Sequence, residues 1–348
     1  MSTISRFSRF NRFRRSTQIA LALSAALGLV GGCSAQAAPP GPAGGTFQLW
    51  QDAAIFTAVQ QLLMAPGAGQ QLSVEMYEFG RQDLAEALLA ARARGAQVRL
   101  IVDRTVPASA RVADWLAARG LAVRAYPVDD RAFQIDHVKL VLAPAAALVT
   151  GMNWGDTSAE NHDYGLETRT LPVLERLHQI FEQDWSIAGG VPAPVNTRSS
   201  GPVLQTAPGE EVRQALLHAI GSAGHSIVGE IFTLTDPEVV AAFGLAHRRG
   251  VQVRLLLDPS QEVNLAAYRV LRSAGVSLAW FRLPPGVRLL HAKAALFDGR
   301  ALLVGSANWS QGGLSVNHEL DLLVADEAAC SAFASRFEQD WQKAVSFG

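Results

Sequence analysis

Short apolar runs along this chain alternate with longer stretches of helical pattern, and the same succession occurs twice. Leu72-Ser73-Val74-Glu75-Met76-Tyr77 reads as a strand, Leu84 to Arg94 as a helix stopped by Gly95, and Gln97-Val98-Arg99-Leu100-Ile101-Val102 as a second strand closed by Asp103. Further on, Ser226-Ile227-Val228-Gly229-Glu230-Ile231 is followed by a helical segment from Pro237 to Arg249 with Gly250 after it. Gln252-Val253-Arg254-Leu255-Leu256-Leu257 then closes at Asp258. Gln-Val-Arg-Leu stands at the same place in both copies.

The correspondence continues downstream. Trp115 to Arg119 with Gly120 matches Leu271 to Ala274 with Gly275, and each leads into another strand. Asn153-Trp154 matches Asn308-Trp309, and Asn161-His162-Asp163 matches Asn317-His318-Glu319. Phe181-Glu182-Gln183-Asp184-Trp185 returns as Phe337-Glu338-Gln339-Asp340-Trp341. Alternating strands and helices predict an α/β layer architecture with a largely parallel or mixed sheet in each half. A period near 155 residues is far too long for a solenoid and points to duplication of a whole domain. Two such domains are expected to pack about a pseudo-twofold axis, bringing matched residues together.

Composition sets the boundaries. The 348 residues are 49% hydrophobic and 18% charged, as in a soluble globular protein with a sizeable core. The halves are expected at 48–188 and 205–348, joined by a linker over 189–204 whose Gly189 to Pro202 stretch is rich in Gly, Pro, Ser and Asn. Residues 1–33 read as an export signal, with 34–47 as a flexible linker behind it. Arg6, Arg9, Arg12, Arg14 and Arg15 form a basic segment without acids, and the apolar run from Ile19 to Val30 is short for a membrane span. It ends Val30-Gly31-Gly32-Cys33, resembling a lipoprotein signal with Cys33 as the lipidated residue. The alternative is an ordinary secretory signal; a twin-arginine reading of Arg14-Arg15 fits the following residues poorly. The expected place is the cell envelope, as an anchored or secreted monomer.

Of the two cysteines, Cys33 and Cys330, the second has no partner and reads as a small core residue beside Phe333 and Phe337. Without the signal's five arginines, 25 basic residues face 31 acidic ones, a net charge of −6. That is a weak footprint for a nucleic-acid binder, though a local basic cleft remains compatible with it.

The chemistry lies in the lysines. There are three, Lys139, Lys293 and Lys343, and two sit two residues after a histidine: His137-Val138-Lys139 and His291-Ala292-Lys293, 154 positions apart. A chain that otherwise uses arginine needs an ammonium point charge at these places, since a guanidinium fork is no equivalent. Residues i and i+2 of a strand share a face, so each pair projects together. Asp298-Gly299 predicts a hairpin that returns Ser306 and Asn308 towards His291 and Lys293. Two facing clusters would place two imidazoles, two ammonium groups and two amides around one point, which suits a phosphodiester. One histidine attacks phosphorus, the other protonates the leaving oxygen and then activates water, and lysines and asparagines hold the non-bridging oxygens without a metal. Asp163 and Glu319 are the matched acids available to orient the imidazoles. Lys343, with no histidine beside it, reads as a surface residue.

His291-x-Lys293-x4-Asp298, followed by Gly305-Ser306-x-Asn308, resembles the HKD signature of the phospholipase D superfamily, and the likeness extends over residues 48 to 345. The resemblance implies a duplicated phospholipase D-like α/β sandwich with one active site between its domains. It also implies a phosphohistidine intermediate with the nucleophile usually from the first motif, and each motif's following acid paired with the opposite histidine: Glu319 with His137, Asp163 with His291. The first motif departs from the signature: His137, Lys139 and Asn153 are kept, but Pro144 replaces the Asp, Gly151 replaces the Ser, and the turn is one residue shorter.

The expected site is therefore His137, Lys139, Asn153, Asp163, His291, Lys293, Asp298, Ser306, Asn308 and Glu319, with no cofactor. Histidines without cysteines or His-x3-His spacing give no zinc signature. Trp154 and Trp309 read equally as pocket lining or core, and Trp185 and Trp341 as core anchors. His162, His318, Glu75 and Glu230 read as structural or supporting. The leading functional reading is a metal-independent phosphodiesterase that hydrolyses or transfers phospholipid head groups. The alternatives are an exported nuclease on the same scaffold and an inactive phosphate- or phospholipid-binding protein.

Overall fold

The first half places strands β1 (Phe47–Gln51), β2 (Gln71–Met76), β3 (Gln97–Val102), β4 (Ala122–Ala125), β5 (Lys139–Ala143), β6 (Ala146–Thr150) and β7 (Tyr164–Thr168) in one sheet. The second repeats the plan with β8 (Val203–Thr206), β9 (Ser226–Ile231), β10 (Gln252–Leu257), β11 (Ser277–Trp280), β12 (Lys293–Phe297), β13 (Ala301–Gly305) and β14 (Glu319–Val324). The sheet orders are β1-β7-β6-β5-β2-β3-β4 and β8-β14-β13-β12-β9-β10-β11, the same topology twice. In each, the central βαβ strands run parallel and the His-x-Lys hairpin pairs antiparallel to them. This computed structural model describes residues 47–191, 201–207 and 209–345. The expected signal segment and Cys33 lie outside the described residues.

Both faces of each sheet are covered, so the central strands are apolar almost without alternation. Helices α1 (Ala54–Met64), α2 (Gln82–Ala93) and α3 (Pro107–Ala117) cover one outer face, and α5 (Glu211–Ser222), α6 (Pro237–Arg248) and α7 (Asn264–Ser273) the other. Between the sheets lie α4 (Leu171–Ala188) and α8 (Glu327–Lys343), whose Leu177, Phe181, Phe333 and Phe337 join Leu140, Leu166, Leu296 and Leu320 in one shared core. Cys330 is buried in that core and unpaired. The local signals are legible: Pro237 opens α6 while the Asp236 side chain accepts from the N–H groups of Glu238 and Val239, and Asp326 caps α8 through Ala329 N–H. Among the described residues no helix is long and apolar enough to cross a membrane.

Three expectations change. Phe47, Val203 and Leu204, which composition assigned to linkers, belong to strands β1 and β8. Trp154 and Trp309 are completely buried, which makes them core rather than pocket. Trp185 and Trp341 are only partly buried; they stack on Phe181 and Phe337 at the core's edge under Arg124 and Arg254.

Candidate active site

Each His-x-Lys segment is stitched to the other half before its strand begins. His137 N–H donates to His318 O at 2.8 Å, and His318 N–H donates to Ile135 O at 2.9 Å. The mirror pair is His291 N–H to His162 O and His162 N–H to Leu289 O, both 2.8 Å. These reciprocal bonds are the contact of a pseudo-twofold interface. Asp103 and Asp258, which close β3 and β10, add pegs: they accept from Asp136 N–H (2.9 Å) and Leu290 N–H (2.6 Å), one residue ahead of each histidine. Sequence reading noted both acids without giving them this task.

The carboxylates cross over between the halves. Glu319 accepts from His137 Nδ1 at 2.9 and 3.1 Å, and Asp163 Oδ2 accepts from His291 Nδ1 at 2.7 Å. Bonding at Nδ1 fixes the tautomer that leaves Nε2 without a proton. Glu319 is itself held by Ser306 Oγ–H at 2.6 Å and Asn317 Nδ2 at 3.0 Å. Asp163 has no serine; its Oδ1 accepts from Tyr164 N–H at 2.8 Å. The space where a serine side chain would lie is taken, because a Cβ on Gly151 would fall 2.4 Å from Asp163 Oδ1.

Lys139 and Lys293 begin β5 and β12 and are among the largest fully buried side chains. Each Nζ donates to the carbonyl of its own histidine at 2.5 Å, and Lys293 Nζ also lies 3.0 and 3.1 Å from the two ring nitrogens of His291. Matched aromatics flank the pairs: Tyr77 sits edge-on to His137 and Phe232 lies tilted against His291, with Lys139 Nζ and Lys293 Nζ each 5.0 Å from the ring centroid. They follow β2 and β9, matched strands of the two repeats, so alignment of the repeats was the signal that could have found them.

Burial pushes Lys139 down to about 7, with the charge of Lys293 adding to it, and Lys293 down to about 8, against the pull of Glu319 and Asp163. Burial first, and the ammonium groups next to it, hold both histidines near 4 against their carboxylates. Each lysine lowers the histidine of the opposite half, so the four groups converge on one place.

Of the remaining expected residues, Ser306 is in place, but Asn153 Nδ2 is engaged by Glu78 Oε2 at 3.0 Å. Asn308 carries a buried amide oxygen without a partner. Glu78 was not foreseen; burial raises its carboxyl, and Lys139 opposes that. Asp298 does not join the cluster. It lies five residues beyond Lys293, roughly 16 Å of extended strand. There, at φ 50° in the β12–β13 turn, its carboxylate accepts from Gly224, His225 and Ser226 N–H at 2.7–2.9 Å. It pins the hairpin to the start of β9 and touches no reacting group. Pro144, in a shorter turn between Ala143 and Ala146, therefore costs the first half a tether and no chemistry.

The family described as cardiolipin synthase, PLD-like domain matches residues 62–185 and 216–341, one stretch in each half. Cardiolipin synthase A of Yersinia pseudotuberculosis is 27% identical over 289 residues, 70% of this chain and 58% of that protein. The human mitochondrial cardiolipin hydrolase is 32% identical over 136 residues, 39% of this chain and 53% of its own length. The chain thus spans little more than half the length of these relatives. Among solved structures, the phosphatidylserine synthase of Haemophilus influenzae aligns with a TM-score of 0.67 at 11% identity, covering 86% of this chain and 87% of that one. The polyphosphate kinase of Porphyromonas gingivalis aligns at 0.63 and 17% identity, covering 84% of this chain and 46% of that one. At such identities the likeness is one of fold.

Proposed function

This chain belongs to the family of cardiolipin synthase, PLD-like domains, and from that premise we propose that it is a phosphodiesterase of phospholipase D type acting on phospholipid head groups. The observation that carries the reading is the crossed pair of dyads, His137 with Glu319 and His291 with Asp163, beside two buried, mutually repelling lysines. The phosphodiester anion takes the charge of Lys139 and Lys293 on its non-bridging oxygens and raises the affinity of His291 for a proton. His137 Nε2 attacks phosphorus, the bond to the head-group oxygen breaks, and His291 gives that oxygen its proton. His291 then takes a proton from water, or from a second alcohol, whose oxygen displaces His137. Water yields phosphatidic acid and an alcohol yields a new diester.

We assign the nucleophile to His137 because its carboxylate is the better held, by Ser306 and Asn317. Lipid is favoured over nucleic acid by the rim. Phe133, four residues ahead of His137, is 85% exposed at φ 54°, and the corresponding loop of the second half exposes Arg282 and Arg288. An exposed aromatic on one loop and exposed arginines on its counterpart suit the boundary of an anionic bilayer.

Vesicles of phosphatidylglycerol and of phosphatidylcholine, and single- and double-stranded DNA, would be offered in parallel to the purified protein. Release or exchange of head group from phosphatidylglycerol is expected, with DNA uncut; DNA cleavage without lipid turnover would make the chain a nuclease, and no turnover of either a binding protein.

The titration of these four side chains gives a second expectation. Catalytic efficiency, kcat/KM, reports groups on the free enzyme. It should fall as pH rises through about 7 to 8, where Lys139 and Lys293 lose the protons that hold the anion. It should also fall below about 4, where His137 takes a proton and can no longer attack phosphorus. A flat profile from pH 6 to 10 would show that the lysines do not bind substrate in their charged form.

A further inference from the structure

His162 and His318 stand next to the dyad acids but turn into two other buried clusters, which the proposed reaction does not use. The first is charge-compensated. His162 bonds Asp52 Oδ1 (2.6 Å) and Glu230 Oε2 (2.7 Å), and Tyr164 O–H donates to Glu230 at 2.9 Å. Arg336 joins Asp340 (2.5 Å) and Asp52 (3.1 Å). Three carboxylates thus meet a guanidinium and an imidazole.

The second cluster uses the matched positions Glu75, Asp184 and His318 but lacks the cation. Where α8 has Arg336, four residues before Asp340, α4 has Ile180, four residues before Asp184. Where the second half has Leu290, the first adds another carboxylate, Asp136. Glu75, Asp136, Asp184 and His318 are all 0% exposed. The oxygens of Glu75 and Asp184, Asp136 Oδ2 and His318 Nε2 face one another without well-formed hydrogen bonds, the nearest approaches being His318 to Asp184 and Glu75 to Asp136. Three buried carboxylates around one imidazole, without an arginine, need further positive charge.

The imidazole is set up to receive it. His318 Nδ1–H donates to Ala207 O at 3.0 Å, and the ring stacks on Tyr126 at 4.4 Å. Donation from one ring nitrogen to a carbonyl is the arrangement that orients metal-binding histidines. His318 Nε2 lies 3.1 Å from Asp184 Oδ2 and 3.6 Å from Glu75 Oε1. One donor atom each from Glu75, Asp136 and His318 falls within 4.8 Å of the others.

We propose that Glu75, Asp136 and His318, with Asp184 as fourth partner, bind a divalent metal ion of the Zn²⁺ or Mn²⁺ kind. Two or three carboxylates with one neutral imidazole suit such ions. The ion is structural: three ligands come from the first half and one from the second, and it pins Asp136, the neighbour of His137. The ligands come from four separate segments, so sequence spacing carried no zinc signature. This inference stands on its own residues, independent of the phosphodiesterase reading.

The test is metal analysis of the purified, desalted full-length protein by plasma mass spectrometry, with thermal melting in 1,10-phenanthroline and after adding back ZnCl₂ or MnCl₂. We expect about one ion per chain, a midpoint several degrees lower in chelator, and recovery on add-back. Asp184→Asn should lose the ion and the chelator response, whereas Asp340→Asn, at the matched place in the compensated cluster, should keep both. Should Asp184→Asn fail to fold, the parent protein decides. Less than about 0.1 ion per chain, with a midpoint indifferent to chelator and to either salt, would overturn the proposal and leave protons shared among the carboxyls.

Discussion

Replacing His137 or His291 with asparagine is expected to lower phosphodiester turnover by at least about 10³-fold while leaving the thermal midpoint within a degree or two. Asparagine keeps a side-chain N–H near the place of Nδ1, so Glu319 and Asp163 are not left as unpaired buried charges, and the fold survives. It has no Nε2, so it can neither attack phosphorus nor carry a proton to the leaving oxygen. The two losses differ in kind. Without His291, attack by His137 on an activated diester with a good leaving group still proceeds, but the release of the phosphohistidine is stalled. His291→Asn should then retain phosphorus label in an acid-labile, alkali-stable form, and His137→Asn should retain none. Label on His137→Asn alone would exchange the roles. More than a tenth of parental turnover in either variant would sink the two-histidine mechanism.

The cluster is assembled from groups that are costly to bury. Two lysines and two imidazoles are buried together; besides Glu319 and Asp163, the acids Glu78, Asp136, Asp258 and Asp321 act on the lysines. Removing such groups from water costs several kcal/mol per ion before any partner is found. The shared core of α4, α8 and both sheets, rather than the site, stabilises the interface between the halves.

How much of this was legible in sequence follows from what a linear pattern records. Strands β3, β9 and β10 coincide with their apolar runs because burial on both faces writes them in consecutive residues. Edge strands β1 and β8 pair on one side only, are four or five residues long and left no comparable run. The histidine–carboxylate crossing came from the resemblance, and in the structure those atoms lie 2.7 and 2.9 Å apart. Spacing misled at Asp298: it is near Lys293 in the motif, but β12 carries it to the far end of the strand. Glu78, Asp103 and Asp258 were missed because each acts on a segment distant in sequence, and no local period marks such a contact.

The missing serine of the first motif reads in sequence as a defect, and restoring it is expected to do harm. Gly151→Ser should lower kcat/KM by about 10²-fold, the scale of losing a carboxylate that orients an imidazole. Gly151 is not at positive φ, so the constraint is room rather than backbone. A new Cβ would meet Asp163 Oδ1 at 2.4 Å and its Oδ2 at 3.0 Å, displacing the carboxylate that His291 Nδ1 bonds at 2.7 Å. In the second half the longer Glu319 carries its carboxylate past the serine, and Ser306 Oγ–H donates to it at 2.6 Å. The neighbouring pair is exchanged in the same manner: Thr150 faces Gly165 in one half, and Gly305 faces Asp321 in the other. Thr150 Oγ accepts from Met152 N–H at 3.0 Å, while Asp321 Oδ1 accepts from Ser306 and Ala307 N–H at 3.0 and 3.1 Å. The halves thus reach one geometry through compensated pairs, and a single transplant breaks a pair. Adding Asp163→Glu to Gly151→Ser copies the whole pair and should return activity to within about tenfold of the parent. If Gly151→Ser alone matches or exceeds the parent, the glycine is a decayed position after all, and the coupling with Asp163 is wrong.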